Sequence, residues 1–308
     1  MANLYMMCGV SGSGKSTWAD AYAKVYRAEV FSSDKIRAEA FGDENDQKHN
    51  SEVFSILHGR VREALGRGKD CIYDATNLNR KRRISFLESL EDIKNVEKTI
   101  IICVAPFSEC VARDGGRART VGKKVIYRQI SQFEMPLYEE GWDTIVVTNK
   151  NPFDFDASLN LYDLEKYLKG QTPHQCAPYH LETIEFHMLS AYKMAEESNS
   201  KMIQTVMRYH DVGKFSTQYW NEKKNRMTYY NHENWGAWMW LASKQFEEMA
   251  SESEDQMNTA FMIAMLISEH MKPFHKNWEQ EMDFYDIWTR AFIELVHYYD
   301  ELACVKGE

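Results

Sequence analysis

The feature that most constrains this chain is a glycine-rich stretch near its start, residues 9–17, which reads GVSGSGKST. It has the form GxxxxGK[ST] of a phosphate-binding loop (P-loop) and lies between the apolar run Leu4–Cys8 and a stretch of helical character, Trp18–Tyr26. This strand–loop–helix context matters because the loop N–H groups and the helix N-terminus together point at a polyphosphate. The sequence therefore predicts a nucleoside triphosphate site.

The residue types in the loop predict how the nucleotide is held. Lys15 is expected to reach the β- and γ-phosphates, and the Ser16 hydroxyl is expected to bind Mg²⁺. The expected cofactor is ATP, or another nucleoside triphosphate, with Mg²⁺. The predicted cofactor-binding positions of the loop are Gly9, Gly12, Ser13, Gly14, Lys15, Ser16 and Thr17.

Short apolar runs alternate with helical patterns over the first half of the chain. Between the runs lie helical patterns such as Glu52–Leu65 and Lys81–Leu90. This alternation predicts an α/β domain with a parallel sheet and flanking helices, in which ligands bind at the carboxyl ends of the strands. The five predicted strands are Leu4–Cys8, Glu29–Phe31, Cys71–Tyr73, Thr99–Val104 and Thr144–Val147.

The pattern changes after about Lys169. Residues 170–178, GQTPHQCAP, have the turn-forming composition of a linker, and no strand is predicted after them. Eight of the ten histidines follow residue 170, which indicates a metal-binding second domain. We therefore predict an α/β domain at 1–169, a linker at 170–178 and an all-α helical bundle at 179–308. The predicted helices of the bundle are 181–198, 201–212, 233–250, 257–271 and 285–304.

The net charge of −9 comes entirely from the second half of the chain. Residues 1–170 contain 25 basic and 25 acidic residues, whereas residues 171–308 contain 12 and 21. Because local charge decides where phosphates bind, the acidic total does not exclude a nucleic-acid partner. Basic residues cluster at Arg80–Arg83 and again between Arg113 and Arg128, and the simplest interpretation of either cluster alone is a solvated helix face.

Composition indicates a cytoplasmic protein that does not enter a membrane. No apolar run approaches the ~20 residues that span a bilayer, and the N-terminus lacks a signal-peptide pattern. The cysteines have no paired metal-ligand spacing, and three of them fall in predicted buried strands, so we expect reduced thiols. The six cysteines are Cys8, Cys71, Cys103, Cys110, Cys176 and Cys304.

Two further segments carry polar residues where strands end. Asp34 and Arg37 follow the second strand, one helical turn apart, so both could face the P-loop. An aspartate there can accept the proton of an attacking hydroxyl, and an arginine can bind a neighbouring phosphate. In isolation, an aspartate in the first turn of a capped helix is the competing interpretation. Asp74, Thr76 and Asn77 end the third strand and are expected to line a site, with the capping of a helix as the competing interpretation.

These segments together resemble the bacteriophage-type polynucleotide 5′-kinase domain, over about residues 1–150. The strings GSGKSTWA, SSDKIR and DATNLNRKRR occur in the same order and at matching spacing, and CVARDGGR at residues 110–117 resembles the arginine-bearing lid. The resemblance implies that Asp34 is the general base and that Arg37 contacts a phosphate of the acceptor. It implies that Arg117 stabilises the transferred phosphoryl group and that Arg113 helps hold the nucleotide. Arg119 lies close enough to Arg117 that the match can shift by two residues.

Histidines and aspartates are spread over the predicted helices of the second half. A histidine–aspartate pair, His210-Asp211, stands in the sequence YHDVGK. Metal sites of helical bundles are built from such side chains where they meet in the centre, and an aspartate can bridge two ions. Mixed imidazole and carboxylate ligands favour transition metals, here Mn, Ni, Co, Fe or Zn. The candidate ligands are His187, His210, Asp211, His232, His270 and Asp300.

The order H…HD…H…H…D resembles the HD phosphohydrolase superfamily, over about residues 177–308. The resemblance implies one or two divalent metals, with His187, His210, Asp211 and Asp300 as primary ligands and His232 and His270 at the second metal. It also implies that Lys214 contacts the scissile phosphate.

Four other residues of this half bear on the same pattern without being assigned to it. His180 could fill the first position instead of His187. His275 and His297 match no position of the pattern and are expected to be structural or at the edge of the substrate site. Glu269 is expected to be a solvated carboxylate, with a role behind the metal ligands as the other interpretation.

Together the two resemblances imply a bifunctional enzyme that heals nucleic-acid ends. The expected reactions are ATP-dependent phosphorylation of 5′-OH ends and metal-dependent removal of a 3′-phosphate or 2′,3′-cyclic phosphate. A separate ligase is the expected partner. RNA versus DNA and the oligomeric state stay open. Two alternatives also stay open: a nucleoside or metabolite kinase fused to an HD nucleotidase, and a nucleotide-switched regulatory module with an inert HD site.

Overall fold

The computed structural model describes residues 1–44, 46–117, 119–149 and 182–305, and it divides into two compact units. The N-terminal unit comprises Met1–Gln129 and Pro136–Lys150. The C-terminal unit comprises Ile130–Met135 and the chain from Asn151 onward. The predicted linker at 170–178, with Cys176, and His180 lie outside the described residues. The boundary predicted from composition therefore stays a prediction.

The N-terminal unit is built on a five-stranded sheet in the order β2-β3-β1-β4-β5, and all of its neighbouring strands are parallel. The predicted α/β architecture with a parallel sheet is confirmed. The central strands read as continuous apolar runs because helices cover both faces of such a sheet. The strands are β1 (Ala2–Cys8), β2 (Glu29–Ser32), β3 (Cys71–Asp74), β4 (Val96–Val104) and β5 (Thr144–Asn149).

Six helices connect these strands among the residues that the structure describes. Helix α1 packs on the sheet through Ala19, beside the buried strand residues Met7, Ile101 and Cys103. A short 3₁₀ turn, Tyr138–Glu140, precedes β5. The helices are α1 (Lys15–Tyr26), α2 (Ser33–Phe41), α3 (Asn50–Gly66), α4 (Arg80–Glu88), α5 (Phe107–Gly115) and α6 (Lys123–Ser131).

One member of the predicted solvated cluster Arg80–Arg83 is instead buried. The Arg83 side chain is 1% exposed and donates to both carboxylate oxygens of Glu140, at 2.7 and 2.6 Å. Trp142 Nε1 donates to the same carboxylate at 3.0 Å, and Arg83 Nη1 donates to the Asn77 carbonyl at 3.0 Å. The bidentate pair is therefore fully bonded, and removing one partner would cost about 3–5 kcal/mol because the other charge stays buried.

The described part of the C-terminal unit is mainly helical. Several of its helices begin at side chains that accept a hydrogen bond from the first turn, such as Thr183, Ser200 and Ser253. The helix predicted at 233–250 is two helices, because Ser243 Oγ accepts from Phe246 N–H and starts a new one. The helices are α7 (Ile184–Met194), α8 (Lys201–Tyr209), α9 (Lys214–Thr217), α10 (His232–Leu241), α11 (Lys244–Glu252), α12 (Glu254–Glu269), α13 (Trp278–Glu281) and α14 (Ile287–Ala303).

The prediction that no strand follows the linker is wrong. An antiparallel hairpin of β6 (Tyr219–Asn221) and β7 (Arg226–Thr228) stands between α9 and α10. Each strand has three residues, too few for a periodic pattern to show in the sequence. Over residues 182–305 the C-terminal unit is therefore helical with an inserted hairpin, rather than all-α.

Two expectations from composition concern the described residues. Cys8, Cys71, Cys103, Cys110 and Cys304 are all free thiols, and the first four are buried. Within residues 1–149 and 182–305, apart from residues 45 and 118, none of the helices combines the length and apolarity that a bilayer crossing requires.

Candidate functional sites

The P-loop lies between the end of β1 and the start of α1. Two of its glycines allow a close backbone approach that no other residue type permits. A Cβ on Gly9 would lie 2.4 Å from the Cys103 carbonyl oxygen, and one on Gly12 would lie 2.2 Å from that of Cys110. Both also have positive φ, at 149° and 81°. The backbone of the loop therefore contacts the end of β4 and helix α5 directly. The N-terminus of α1 follows the loop.

Polar groups inside the loop fit a bound polyphosphate. The Lys15 ammonium is buried and donates to the Val10 carbonyl of the same loop at 2.7 Å. The Ser13 hydroxyl is buried and makes no hydrogen bond within the described part of the chain. Ser11 N–H donates to the Gln129 side chain at 2.8 Å. Ser16 and Thr17 stand exposed in the first turn of α1, which contains no acidic residue.

Asp74, at the end of β3, is one of the strand-end residues predicted to line this site. Its carboxylate lies 3.4 Å from the Ser16 hydroxyl, and the residue is 9% exposed. Burial raises the pKa of Asp74, and the nearby Lys15 ammonium opposes that rise. Burial likewise lowers the pKa of Lys15, with Asp74 opposing. Asp74 and Ser16 are the groups in this structure that could hold Mg²⁺, and the strand-end position of Asp74 was the signal for it.

Asp34 and Arg37 lie together on α2, as their spacing predicted. Arg37 is buried and donates to Asp34 Oδ1 at 2.9 Å and to Asn50 Oδ1 at 2.9 Å. Its Nε makes no hydrogen bond among the residues that the structure describes. Asp34 is 58% exposed, and Arg119 lies 3.5 Å from the same Oδ1. Arg119, the alternative to Arg117 in the motif match, thus contacts Asp34, and the same nitrogen lies 3.5 Å from Glu44 Oε2.

The segment after β4 carries the other predicted arginines. Arg113, on α5, lies over the P-loop with Nη1 3.4 Å from the Gly12 carbonyl, and it forms an ion pair with Glu109. Arg117 follows this helix. Burial lowers the pKa of the Lys15 ammonium, and the positive charge of Arg117 lies close enough to lower it slightly further. Asp114 fastens the loop that contains Arg117, because its carboxylate accepts from Val121 N–H at 3.1 Å and Gly122 N–H at 2.9 Å.

In the C-terminal unit, the structure brings all six predicted metal ligands into one buried cluster, which we call the His/Asp cluster. Its members come from α7, from the turn after α8, from the start of α10, from the residue after α12 and from α14, and each is at most 5% exposed. The residues are His187, His210, Asp211, His232, His270 and Asp300.

The cluster divides into two groups that share Asp211. His187 Nε2 lies 2.8 Å from Asp300 Oδ1 and 3.2 Å from His210 Nε2, and both rings lie within 3.6 Å of Asp211 Oδ2. The other oxygen, Asp211 Oδ1, faces the second group, 3.1 Å from His232 Nε2 and 3.7 Å from His270 Nε2. One carboxylate therefore presents one oxygen to each group, as a bridging ligand of two metals does.

Hydrogen bonds behind three of the rings fix which ring nitrogen is available. His210, His232 and His270 each direct Nδ1 at a backbone carbonyl, those of Met207, Tyr229 and Ile267, at 2.8 to 2.9 Å. A carbonyl only accepts, so Nδ1 carries the proton and Nε2 of a neutral ring is an acceptor.

Acceptor nitrogens consequently face one another inside the cluster. The Nε2 atoms of His232 and His270 are only 3.2 Å apart. Two lone pairs at that distance repel unless a proton or a metal ion lies between them. The donor set thus fits divalent metals, and the backbone carbonyls act as the outer partners that orient metal-binding imidazoles.

His187 differs from the other three rings because its outer partner is a carboxylate. Its Nδ1 lies 3.3 Å from Glu182 Oε1, and Glu182 Oε2 accepts from Val305 N–H at 3.2 Å. Burial alone would lower the pKa of His187, but hydrogen bonds to Asp300 and Glu182 raise it to about 9. Glu182 was not predicted as a site residue. It precedes the helix, and only the fold brings it to the ring.

Two more hydrogen bonds to carboxylates lie in or beside the His/Asp cluster. Lys214 is buried and donates to Asp211 Oδ2 at 2.5 Å, and this ion pair, against the effect of burial, helps hold the pKa of Asp211 well below its usual range. Glu269 is 2% exposed and accepts from Tyr285 Oη at 2.5 Å, so the expectation of a solvated carboxylate is wrong. His275 is exposed and His297 packs on Phe274, both outside the described cluster.

Comparison with known proteins supports the N-terminal fold. A family model described as an AAA domain matches residues 4–136. Among solved structures, similarity is found to a protein of Chloroflexus aurantiacus described as a kinase (18% identity, 56% of this chain and 98% of that one, TM-score 0.41). A chain of the Pnkp1/Rnl/Hen1 RNA repair complex is 23% identical over 43% of this chain and 44% of its own, with TM-score 0.36.

Shikimate kinase of Acinetobacter baumannii is also similar, at 18% identity over 55% of this chain and 94% of that chain, with TM-score 0.34. All three TM-scores lie below 0.5, so these likenesses assign no substrate. No curated protein matches the chain. The family match, the parallel sheet and the geometry of residues 9–17 agree that the N-terminal unit is an α/β domain with a phosphate-binding loop.

Proposed function

We propose that the chain is a bifunctional nucleic-acid end-healing enzyme, with a 5′-hydroxyl kinase in the N-terminal unit and a metal-dependent 3′-end phosphohydrolase in the C-terminal unit. The observation that carries the proposal is that each unit contains its own cluster of polar side chains suited to phosphate chemistry. One is a P-loop with an exposed carboxylate among arginines. The other is a buried His/Asp cluster in which acceptor nitrogens face one another around Asp211.

In the kinase half, catalysis of phosphoryl transfer comes mainly from positioning of the two substrates and from stabilisation of the negative charge that is transferred. Lys15 and Arg113 would hold the donor phosphates, and Ser16 with Asp74 would hold Mg²⁺. Asp34 would accept the proton of the 5′-hydroxyl, since it is the exposed carboxylate of the site. Arg117 would stabilise the transferred phosphoryl group.

Arg37 supports an acceptor that carries a phosphate. It is a buried arginine whose two terminal nitrogens are fixed by Asp34 and Asn50, while its Nε makes no hydrogen bond in the described structure. A guanidinium held in place in this way binds a phosphate with little loss of side-chain freedom. A polynucleotide supplies such a phosphate one nucleotide from its 5′ end, whereas a nucleoside does not.

In the hydrolase half, His187, His210, Asp211 and Asp300 would hold one metal, and Asp211, His232 and His270 a second. Bound divalent metals would supply an activated water and charge stabilisation. The chain's own residues orient that chemistry. Lys214 holds Asp211 in place through its ammonium group and would also face the phosphate of the substrate. Glu182 holds His187 with Nε2 toward the cluster.

The direct test uses oligonucleotides with a 5′-OH and either a 3′-phosphate or a 2′,3′-cyclic phosphate, as RNA and as DNA, across a series of divalent metals. We expect ATP-dependent 5′ phosphorylation and metal-dependent loss of the 3′ phosphate, which leaves ends that a separate ligase can join. Asp34→Asn should remove only the first activity. If Asp34→Asn keeps full kinase activity with unchanged nucleotide binding, the assignment of the base is wrong.

A small-molecule function is the second candidate, and the charge of the second half favours it. Residues 171–308 hold 12 basic against 21 acidic residues, which suits a mononucleotide better than a long polyanion. The same assay with mononucleotides distinguishes the two. A higher kcat/KM for the mononucleotide than for the oligonucleotide, in both reactions, would replace our proposal by a nucleoside kinase fused to a nucleotidase. Absence of bound metal together with absence of phosphate release would instead indicate a regulatory module.

A further inference from the structure

The hairpin β6–β7 and its flanks, residues 218–230, have a composition that packing does not explain. We call this segment the aromatic hairpin. Three large aromatic side chains in it are exposed: Tyr219 at 64%, Trp220 at 50% and Tyr230 at 58%. At least half of each of these side chains therefore contributes no burial to the fold, and a patch of exposed apolar groups on a protein surface marks a binding site. The hairpin therefore has a role other than core packing.

The base of the aromatic hairpin is fixed at the His/Asp cluster on both sides. Before it, Lys214 donates to Asp211 and begins α9, which leads directly into β6. After it, the Tyr229 carbonyl accepts from His232 Nδ1 at 2.8 Å, and the Tyr229 ring lies 5.7 Å from the Lys214 ammonium. The hairpin thus rises from the two chain segments that hold Asp211 and His232.

This base is also tightly packed. A Cβ on Gly213 would lie 1.9 Å from the His232 carbonyl oxygen, so the two segments approach as closely as backbones can. The aromatic hairpin therefore stays at a fixed distance from the His/Asp cluster. A chain bound along the hairpin would consequently present its end to the metal ligands in one register.

Charge distinguishes the aromatic hairpin from the rest of its unit. Lys223, Lys224 and Arg226 stand against a single acidic residue, Glu222, although residues 171–308 as a whole are strongly acidic. The Lys224 ammonium lies 5.3 Å from the Tyr230 ring centroid and donates to its hydroxyl at 2.6 Å, which holds that ring in place. Basic groups among exposed aromatic faces are the combination that binds single-stranded nucleic acid, through phosphates and stacked bases.

We propose that the aromatic hairpin binds the single-stranded polynucleotide whose 3′ end the His/Asp cluster processes, with bases stacked on Tyr219 or Trp220 and Tyr230 and backbone phosphates beside Lys223 and Arg226. The chemical identity of the reacting end rests on the proposed function, but the binding itself does not. Successive residues of a strand point to opposite faces, so Tyr219 and Trp220 serve different faces of the ribbon. This surface also explains how an acidic unit can hold a polyanion.

The test uses the full chain and fluorescence anisotropy with a 12-nucleotide single strand, as RNA and as DNA, that carries a 3′-phosphate and is blocked by the fluorophore at its 5′ end. Chelator is present, so binding is measured without turnover. We expect Tyr219→Ala or Trp220→Ala, whichever faces the bases, to weaken binding roughly 5- to 100-fold, as removal of one stacking ring does. Trp220→Phe keeps a ring face and should restore most of the affinity if that residue stacks. Trp288→Ala is the matched control, because Trp288 is 74% exposed in the same unit.

A second measurement separates the charge contribution. The double variant Lys223→Ala/Arg226→Ala should reduce the slope of log affinity against log salt by about 0.7 for each phosphate that is no longer neutralised. Metal-dependent hydrolysis of p-nitrophenyl phosphate should be unchanged in all hairpin variants, because that substrate has no base to stack.

The outcomes are distinguishable from failure of the proposed function. If the wild type binds the oligonucleotide and the hairpin variants weaken binding, the surface is established even when no phosphate is released from any substrate. If Tyr219→Ala, Trp220→Ala and the Lys223→Ala/Arg226→Ala double variant all bind as tightly as Trp288→Ala, the proposal is overturned. It is also overturned if the wild type does not bind single strands, or if one hairpin variant loses hydrolysis of p-nitrophenyl phosphate to the same extent as oligonucleotide binding.

Discussion

The two candidate sites are assembled in opposite ways. The P-loop is nine consecutive residues whose geometry follows from glycines, a strand before and a helix after. The His/Asp cluster takes six residues from between positions 187 and 300 and brings them within a few ångströms. A local motif depends on its immediate neighbours, whereas a dispersed cluster depends on the packing of the whole unit. The first site should therefore respond to mutation as a nucleotide site only, and the second as part of the fold as well.

The largest effect is expected from substitution of Asp211, because its carboxylate faces both groups of the His/Asp cluster. Asp211→Asn removes the negative charge between four imidazoles and leaves the Lys214 ammonium without its carboxylate partner. We expect phosphate release to fall by more than the roughly 10- to 100-fold typical of outer-partner mutations, because Asp211 would be a direct and shared ligand. The measurement is phosphate release from a 3′-phosphate oligonucleotide, with bound metal counted by elemental analysis.

Kinase turnover in the same preparation is the internal control for Asp211→Asn, and it should not change. His275→Ala is the matched variant, since this histidine is exposed and outside the cluster. Equal loss of both activities in Asp211→Asn would show that one site performs both reactions, and the division into two sites would be abandoned.

The corresponding substitution in the P-loop tests the site that is formed by consecutive residues. Lys15→Ala removes the buried ammonium of the P-loop, and we expect 5′-kinase kcat to fall roughly 10²- to 10³-fold, as it does when one preorganised charge-stabilising group is lost. Phosphate release from 3′ ends should stay at the wild-type value. Lys24→Ala, at an exposed position in the last turn of the same helix, should change neither activity. A Lys15→Ala enzyme with normal kinase turnover would exclude the P-loop as the donor site.

Removal of metal tests whether the His/Asp cluster, unlike the P-loop, contributes to the stability of the unit that contains it. A ligand at 100 times its Kd stabilises a native unit by about 2.7 kcal/mol, so we expect chelation to lower the Tm of the C-terminal transition by roughly 5–10 °C. The physical reason is the set of acceptor nitrogens that face one another when no cation separates them. Differential scanning calorimetry of the full chain measures this shift.

The chelation shift should survive in Lys15→Ala and be much reduced in Asp211→Asn. An unchanged Tm after chelation of protein shown to contain metal would mean that the cluster contributes nothing to folding stability.

Several features were predictable because their causes are local. The five strands and the P-loop helix follow from short apolar runs and from glycines at fixed spacing, and the histidine-rich half was recognised by its residue types. Features set by distant partners were missed. Arg83 is buried because Glu140, 57 residues away, neutralises it, and Glu269 is buried because Tyr285 donates to it. The hairpin was missed because two three-residue strands give no periodic signal.

The sequence by itself determined that this chain has a phosphate-binding loop on a parallel α/β sheet, and which histidines and aspartates are available for a metal site. These properties belong to residue type and short-range spacing, which the backbone cannot rearrange. Only the tertiary structure decided that Arg119 contacts Asp34, that Asp211 offers one oxygen to each pair of histidines, and that the segments flanking the aromatic hairpin bond to Asp211 and His232. Such contacts join residues far apart in the chain, and their geometry is fixed only when helix packing excludes water and sets the distances.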